Sequence, residues 1–267
     1  EPGAPDASVP PEPTPDAGAP VDPAPDAGTS DPVTPDAGVV EQPGDGLDPT
    51  ALPAENFDLT HWKLTIPGPT EIKPDQLASY SSNYFYTDPV TGAMAFWLDS
   101  SEEGSTANSS YVRSELREMM DPNDKTVNWP MSGTHVLTAD LQLLYTSETP
   151  DQVTVLQIHG ITDDGGNVPP LLRVALMDGD LYAKVKTNAS GSDTESVLLT
   201  TGINSDRFVT EVRVVDSRLI ITVNGVVELD RDVSFWDHRN YFKAGLYPQA
   251  QSGISEARFY ALTVSHQ

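Results

Sequence analysis

The sequence predicts an all-β domain, a two-sheet antiparallel sandwich or jelly roll, behind a long acidic segment that builds no core. Short runs rich in β-branched and aromatic residues recur at regular spacing, tight-turn dipeptides separate several of them, and no stretch sustains a helical period. Residues 1–46 contrast with the rest: they hold 12 of the 24 prolines and 10 of the 40 acids, and no Lys or Arg.

Taken in order, residues 1–46 repeat Pro-Asp-Ala-Gly at 15–18, 25–28 and 35–38, with Pro-Asp-Ala-Ser at 5–8. This segment has no aromatics and almost no large aliphatics, so burial cannot offset the entropy of ordering it. It reads as a disordered, partly polyproline-like acidic linker, and 47–267 as one domain. There, "KPDQLAS" (73–79) is a short helix at most, and "NYFYTDPVTGAMAFWL" (83–98) is two strands about a Pro/Gly turn. "THVLTADLQLLY" (134–145) and "VTVLQIHG" (153–160) are single strands, and "LLRVALMDGDLYAKVKT" (171–187) is a hairpin turning at Asp178-Gly179. "FVTEVRVVDSRLIITVNGVVELD" (208–230) holds three strands with Asn224-Gly225 as its second turn, and "EARFYALTVS" (256–265) closes the list. Such folds carry ligands across a concave sheet.

Composition bounds the function. Residues 47–267 carry 15 bases against 30 acids, so nucleic acid is excluded as a partner and a polyanion needs a local basic site. No apolar run is long enough for a transmembrane helix, and the lack of cysteine rules out disulfides and thiolate metal sites. The start at Glu1, without Met or a signal sequence, fits a processed export product and equally an excerpt of a longer chain; a secreted or surface-tethered monomer is the expectation.

Three strands have unusual faces. Alternation puts Tyr111, Arg113, Glu115 and Arg117 on one face of 111–119, with Val112, Ser114, Leu116 and Glu118 on the other. Gln157 and His159 share a face opposite Ile158. In "NYFKAGLYPQ" (240–249), Tyr241, Lys243, Gly245 and Tyr247 share a face, with Gln249 ending the block. Each strand alone has an ordinary reading: a solvated charge ladder, a structural histidine, an aromatic surface stripe.

Together "RSELRE" (113–118), "QIH" (157–159) and "YFKAGLY" (241–247) resemble the three signature blocks of polysaccharide lyase family 7, the alginate lyases, and "PAENFDLTHWKLTIP" (53–67) is similar to that family's domain opening. The resemblance runs from about Ala54 to Val264. It implies a concanavalin-like β-jelly roll with a substrate groove on the concave sheet, and β-elimination in alginate that leaves a 4,5-unsaturated uronate end. By this resemblance Arg113 and Gln157 neutralise the uronate carboxylate, His159 neutralises or acts as base, and Tyr247 is the acid–base group at O4.

The chemistry fits these residue types. The C5 proton is barely acidic while the neighbouring carboxylate is ionised, so the site must hold fixed donors against that carboxylate as charge develops. An arginine fork and an amide supply them. A phenol near pKa 10 is a poor base unless cations favour its ionised form, and Lys243 and Arg117 are expected to do so. Gly245 is expected to let the sugar approach the backbone. Glu115 is expected to orient Arg113 or Arg117, and Lys63 and Arg173 are subsite cations. Tyr111, Tyr241 and Gln249 complete the expected binding set, while Trp62 and Trp97 are assigned to the core. The mechanism requires no metal or other cofactor. Ile158 tilts the expected preference toward guluronate, and an open groove toward endolytic cleavage, with loops 100–109 and 160–170 able to close one end.

Other readings are a lyase on another polyuronate such as glucuronan, a non-catalytic carbohydrate-binding module, an attachment protein, and a glycoside hydrolase. The last needs two carboxylates facing one cleft, whereas Glu115 and Glu118 fall on opposite faces.

Overall fold

Two antiparallel sheets account for nearly all of the regular structure. The computed structural model describes residues 46–104, 109–145, 152–162 and 165–267; the expected linker, except Gly46, lies outside them. The strands are β1 (Trp62–Ile66), β2 (Thr70–Ile72), β3 (Phe85–Thr87), β4 (Met94–Asp99), β5 (Ser114–Glu118), β6 (Thr134–Tyr145), β7 (Val153–Ile161) and β8 (Asn167–Met177). They continue as β9 (Asp180–Lys186), β10 (Thr194–Thr200), β11 (Phe208–Val215), β12 (Arg218–Val223), β13 (Val226–Asp232), β14 (Arg239–Pro248) and β15 (Ile254–His266). One sheet has eight strands in the order β10-β9-β8-β7-β14-β5-β1-β2, and the other seven in the order β13-β12-β11-β6-β15-β4-β3. The expected two-sheet sandwich is therefore present.

Local chemistry explains the turns. Asp178 and Gly179 have φ of 52° and 81°, and Asn224 and Gly225 have 49° and 80°. Both pairs make the doubly positive two-residue turn that matches strand twist, and both were legible. Asp216 and Ser217, at 44° and 65°, turn β11 into β12 without a glycine. Strand β8 starts four residues before the predicted hairpin, through Pro169 and Pro170; its pairing with β7 shifts register there, where the missing N–H groups cost least. The predicted helix is reduced to one turn, α2 (Pro74–Leu77), and α1 (Pro53–Asn56), β1, β2 and β10 were not anticipated.

The core lies between the sheets. Leu64, Leu116, Ile158, Leu172, Phe242 and Leu246 of the eight-stranded sheet are fully buried, as are Phe96, Leu141, Phe259 and Ile221 of the other. Phe85 packs tilted on Phe96 and Phe96 edge-on to Phe259, with centroids 5.2 and 5.3 Å apart, and each such side chain contributes about 1.5–3 kcal/mol of transfer free energy. Glu118 points into this interior. It accepts the Trp129 indole at 3.1 Å, the Phe242 amide at 2.8 Å and His266 Nε2 at 2.5 Å. Those bonds satisfy a buried carboxylate and remove it from any groove shared with Glu115.

Candidate active site

Cross-strand register builds the site. Lys63 lies opposite Arg117, Arg117 opposite Lys243, Lys243 opposite Gln157, Gln157 opposite Arg173, and Arg173 opposite Lys184. Directly opposed residues share a face, so one row over six strands carries five cations and an amide. With strands about 4.8 Å apart, the row is roughly 24 Å long. This is a basic track on a chain of net charge −25, the local site that the composition demanded of a polyanion binder.

Beside the row, Glu115 is almost completely buried, at 1% exposure. Its carboxylate accepts from Lys243 Nζ and Gln157 Nε2, and from Arg113 Nη1 at 3.1 Å. A buried carboxylate is stable only with this degree of pairing. Burial pushes its pKa up, but the Lys243 and Arg113 charges prevail and hold it below the usual range. Burial lowers Lys243, Glu115 opposes the fall and Arg113 adds to it, leaving Lys243 at about 8. Glu115 thus orients Arg113, with Lys243 and Gln157, and not Arg117.

Arg113 precedes β5. Its guanidinium carbon lies 4.0 Å from the centroid of the Tyr247 ring, and its buried Nε has no hydrogen-bond partner among the described residues. The cation against Tyr247 is therefore Arg113, whereas Lys243 and Arg117 were expected there; the first is held by Glu115 and the second by a neighbouring loop. Arg117 donates to the carbonyls of Glu118 and Lys125 and to Asn128 Oδ1 at 2.7–2.9 Å, and lies 4.0 Å over the Tyr241 ring. Tyr241 also stacks on His159, with centroids 5.1 Å apart and planes 11° apart.

His159 Nδ1 lies 2.9 Å from the Gly160 carbonyl. A carbonyl only accepts, so Nδ1 carries the proton and Nε2 keeps its lone pair. Burial, followed by the Lys243 charge, lowers His159 to about 3, which keeps the ring neutral. The sequence left open whether His159 donates or accepts; the tautomer makes its second nitrogen an acceptor. Lys63, Arg113, Arg117, His159, Tyr241 and Lys243 share a cavity of about 500 Å³.

Other residues fall differently. Lys63 pairs with Glu71 at 2.5 Å. Gln249 is spent on the backbone and its neighbours, donating to the Tyr247 carbonyl at 2.6 Å and accepting from Gln152 and from Thr154 Oγ1. Tyr111 engages Ser109 through its main chain, and Trp62 is buried as expected. Trp97 is half-buried, beside Tyr84 and a cavity lined by Ser81, Ser82, Asn83 and Tyr86, and so departs from its assignment to the core. Gly245 also departs from expectation. At φ 141°, a Cβ there would meet Ser114 O at 2.7 Å, Glu115 Cα at 2.8 Å and the Phe96 ring at 3.2 Å, so its lack of a side chain serves the packing of β14 on β5.

Sequence reasoning missed Lys184 and Ser109. Lys184 was legible, since a two-residue turn at Asp178-Gly179 sets it opposite Arg173. Ser109 Oγ lies 2.9 Å from the Tyr247 hydroxyl across 138 residues, with no local signal to announce it.

Comparison with known proteins points to the alginate lyases. The alginate lyase family profile matches residues 57–266. An alginate lyase of Photobacterium sp. is 29% identical over 211 residues, covering 66% of this chain and 70% of that protein. One from Klebsiella pneumoniae is 31% identical over 96 residues, 30% of this chain and 31% of its own length. Alginate lyase A1-II', a member of polysaccharide lyase family 7, superposes with TM-score 0.76 at 41% identity, covering 81% of this chain and 99% of that one. That enzyme has been crystallised as a Tyr-to-Phe variant with product (GGG), and as a His-to-Asn, Tyr-to-Phe variant with substrate (GGMG).

Proposed function

This chain belongs to the alginate lyase family, polysaccharide lyase family 7, and is a polysaccharide lyase; from that premise we propose that it cleaves alginate by β-elimination, with Arg113, Gln157, His159 and Tyr247 as its working residues. The observation that carries this reading is the Glu115 hub. One buried carboxylate gathers Arg113, Gln157 and Lys243 onto a single face, beside a neutral His159 and a Tyr247 held under Arg113.

In the proposed step, the uronate carboxylate takes its hydrogen bonds from Arg113 and from the Gln157 N–H not given to Glu115. These donors are preorganised, so they strengthen as C5 loses its proton without reorganising. His159 Nε2 removes the C5 proton of guluronate, the C5–H pair becomes the C4–C5 double bond, the C4–O4 bond breaks, and Tyr247 protonates O4. For mannuronate, where the C5 proton and O4 lie on the same side, Tyr247 serves both ends. Arg113 and Gln157 supply the charge neutralisation, so the scheme requires no metal. The cation row over six strands supports binding within a polymer, hence endolytic cleavage. Ile158 is fully buried beneath this face and bears on the guluronate preference only through Gln157 and His159. A polymeric substrate supports a secreted or tethered enzyme.

The test is ultraviolet absorbance on separate polyguluronate and polymannuronate, since elimination creates a conjugated uronate that hydrolysis does not. Wild type gives a rise, faster on polyguluronate, and Tyr247→Phe and Arg113→Ala lose orders of magnitude in turnover while remaining folded. No rise on either polymer, with a rise on glucuronan, would reassign the substrate.

A further inference from the structure

Tyr247 meets a neighbour that no signature block contains. Ser109 lies just ahead of β5, and its Oγ is 2.9 Å from the Tyr247 hydroxyl and 2.9 Å from the Tyr111 carbonyl, while the Tyr111 amide donates to it at 3.1 Å. A serine hydroxyl has one proton. While that proton goes to the Tyr111 carbonyl, Ser109 can only accept from the phenol, which fixes the direction of the Tyr247 O–H. If Tyr247 gives up its proton, the same hydroxyl can turn about its C–O bond and donate to the phenolate.

We propose that Ser109 is a positioning residue for the lyase step, holding the phenol proton of Tyr247 in the resting enzyme and donating to the phenolate during turnover. This rests on Tyr247 being the acid–base group. As the C4–O4 bond breaks, the Tyr247 O–H bond breaks and O4 keeps the proton; the electron pair left on the phenolate then receives the Ser109 hydrogen bond. Among the described residues, the charged groups that face the phenol are Arg113, over the ring at 4.0 Å, and Arg173 on β8, which interacts electrostatically with Tyr247. An arginine over the ring face stabilises the π-system, whereas Ser109 reaches the oxygen that carries the developing charge.

Ser109→Ala, Ser109→Thr and Tyr247→Phe decide the matter in the chain of residues 1–267 on polyguluronate and polymannuronate. The expected result for Ser109→Ala is a roughly ten- to hundredfold fall in kcat, the range for losing a hydrogen bond to a charged group. KM should stay within about twofold. Because the phenolate alone loses its donor, the limb of the kcat–pH profile that reports Tyr247 should move to higher pH by about one unit. Ser109→Thr, which keeps the hydroxyl, should restore most of the rate. Ser109→Ala with wild-type kcat and pH profile overturns the proposal, as does a lower rate with an unmoved profile and no rescue by threonine, the pattern of a purely structural residue. If Tyr247→Phe itself retains wild-type turnover, the acid–base assignment falls and the role of Ser109 with it; a dead Tyr247→Phe beside a normal Ser109→Ala removes Ser109 alone.

Discussion

Glu115→Gln is the most informative perturbation, because the substitution is nearly isosteric and removes only the charge on which three side chains converge. It leaves Lys243, 7% exposed, beside Arg113 without a counter-ion. Removing one partner of a buried ion pair costs about 3–5 kcal/mol. Without Glu115, which opposes the fall, Lys243 drops further below its wild-type value of about 8 and is carried neutral at pH 7.5. For a domain of this size the melting temperature should fall by roughly 8–15 °C. The pH dependence carries a sign: a lysine depressed in the folded state costs least once the solution is basic enough to deprotonate it, so the deficit should shrink between pH 7.5 and pH 9.5, where wild-type Lys243, at about 8, also gives up its proton. Urea denaturation at pH 7.5 and 9.5 reads both quantities. Turnover should fall as well, since Arg113 loses its anchor, and adding Lys243→Met should restore stability without activity. A deficit below about 1 kcal/mol at pH 7.5, or one that does not shrink with pH, would refute this account of the hub.

Other perturbations test separate parts of the site. Gly245→Ala should destabilise by roughly 2–5 kcal/mol, combining positive-φ strain with the clash against β5, and should lower turnover by displacing Arg113 and Tyr247; thermal melts and initial rates check this. Lys184→Ala should raise KM about two- to fivefold at low salt with kcat unchanged, and the effect should fade in high salt, as expected of a half-exposed subsite cation in steady-state kinetics across ionic strength. His159 is held at about 3, against an ordinary value near 6.5. Below pH 6.5 the unfolded chain therefore binds a proton that the folded chain refuses, and stability is lost as pH falls toward 3. His159→Asn should lose less stability than wild type between pH 7 and pH 4.5 in urea denaturation, while losing turnover at both.

Alternation within a strand is a local rule, so the sequence by itself determined the two-sheet class, the Asp178-Gly179 and Asn224-Gly225 turns, and the sidedness of Arg113, Glu115, Gln157 and His159. It also separated Glu115 from Glu118, three residues apart and therefore on opposite faces. Partnerships across the sheet depended on register between strands far apart in the chain, and only the tertiary structure decided those. Register brought Lys243 and Gln157 to Glu115, gave Arg117 to the loop at Lys125 and Asn128, and set Arg113 rather than Lys243 against Tyr247. The same holds for Gly245, whose role follows from backbone and ring atoms of Ser114, Glu115 and Phe96 packed where a Cβ would stand, and for Ser109, which reaches Tyr247 across 138 residues. Side-chain direction is written in a period of two, but which side chain it meets is set by strand order, bulges and the close approach of backbones, none of which a linear pattern encodes.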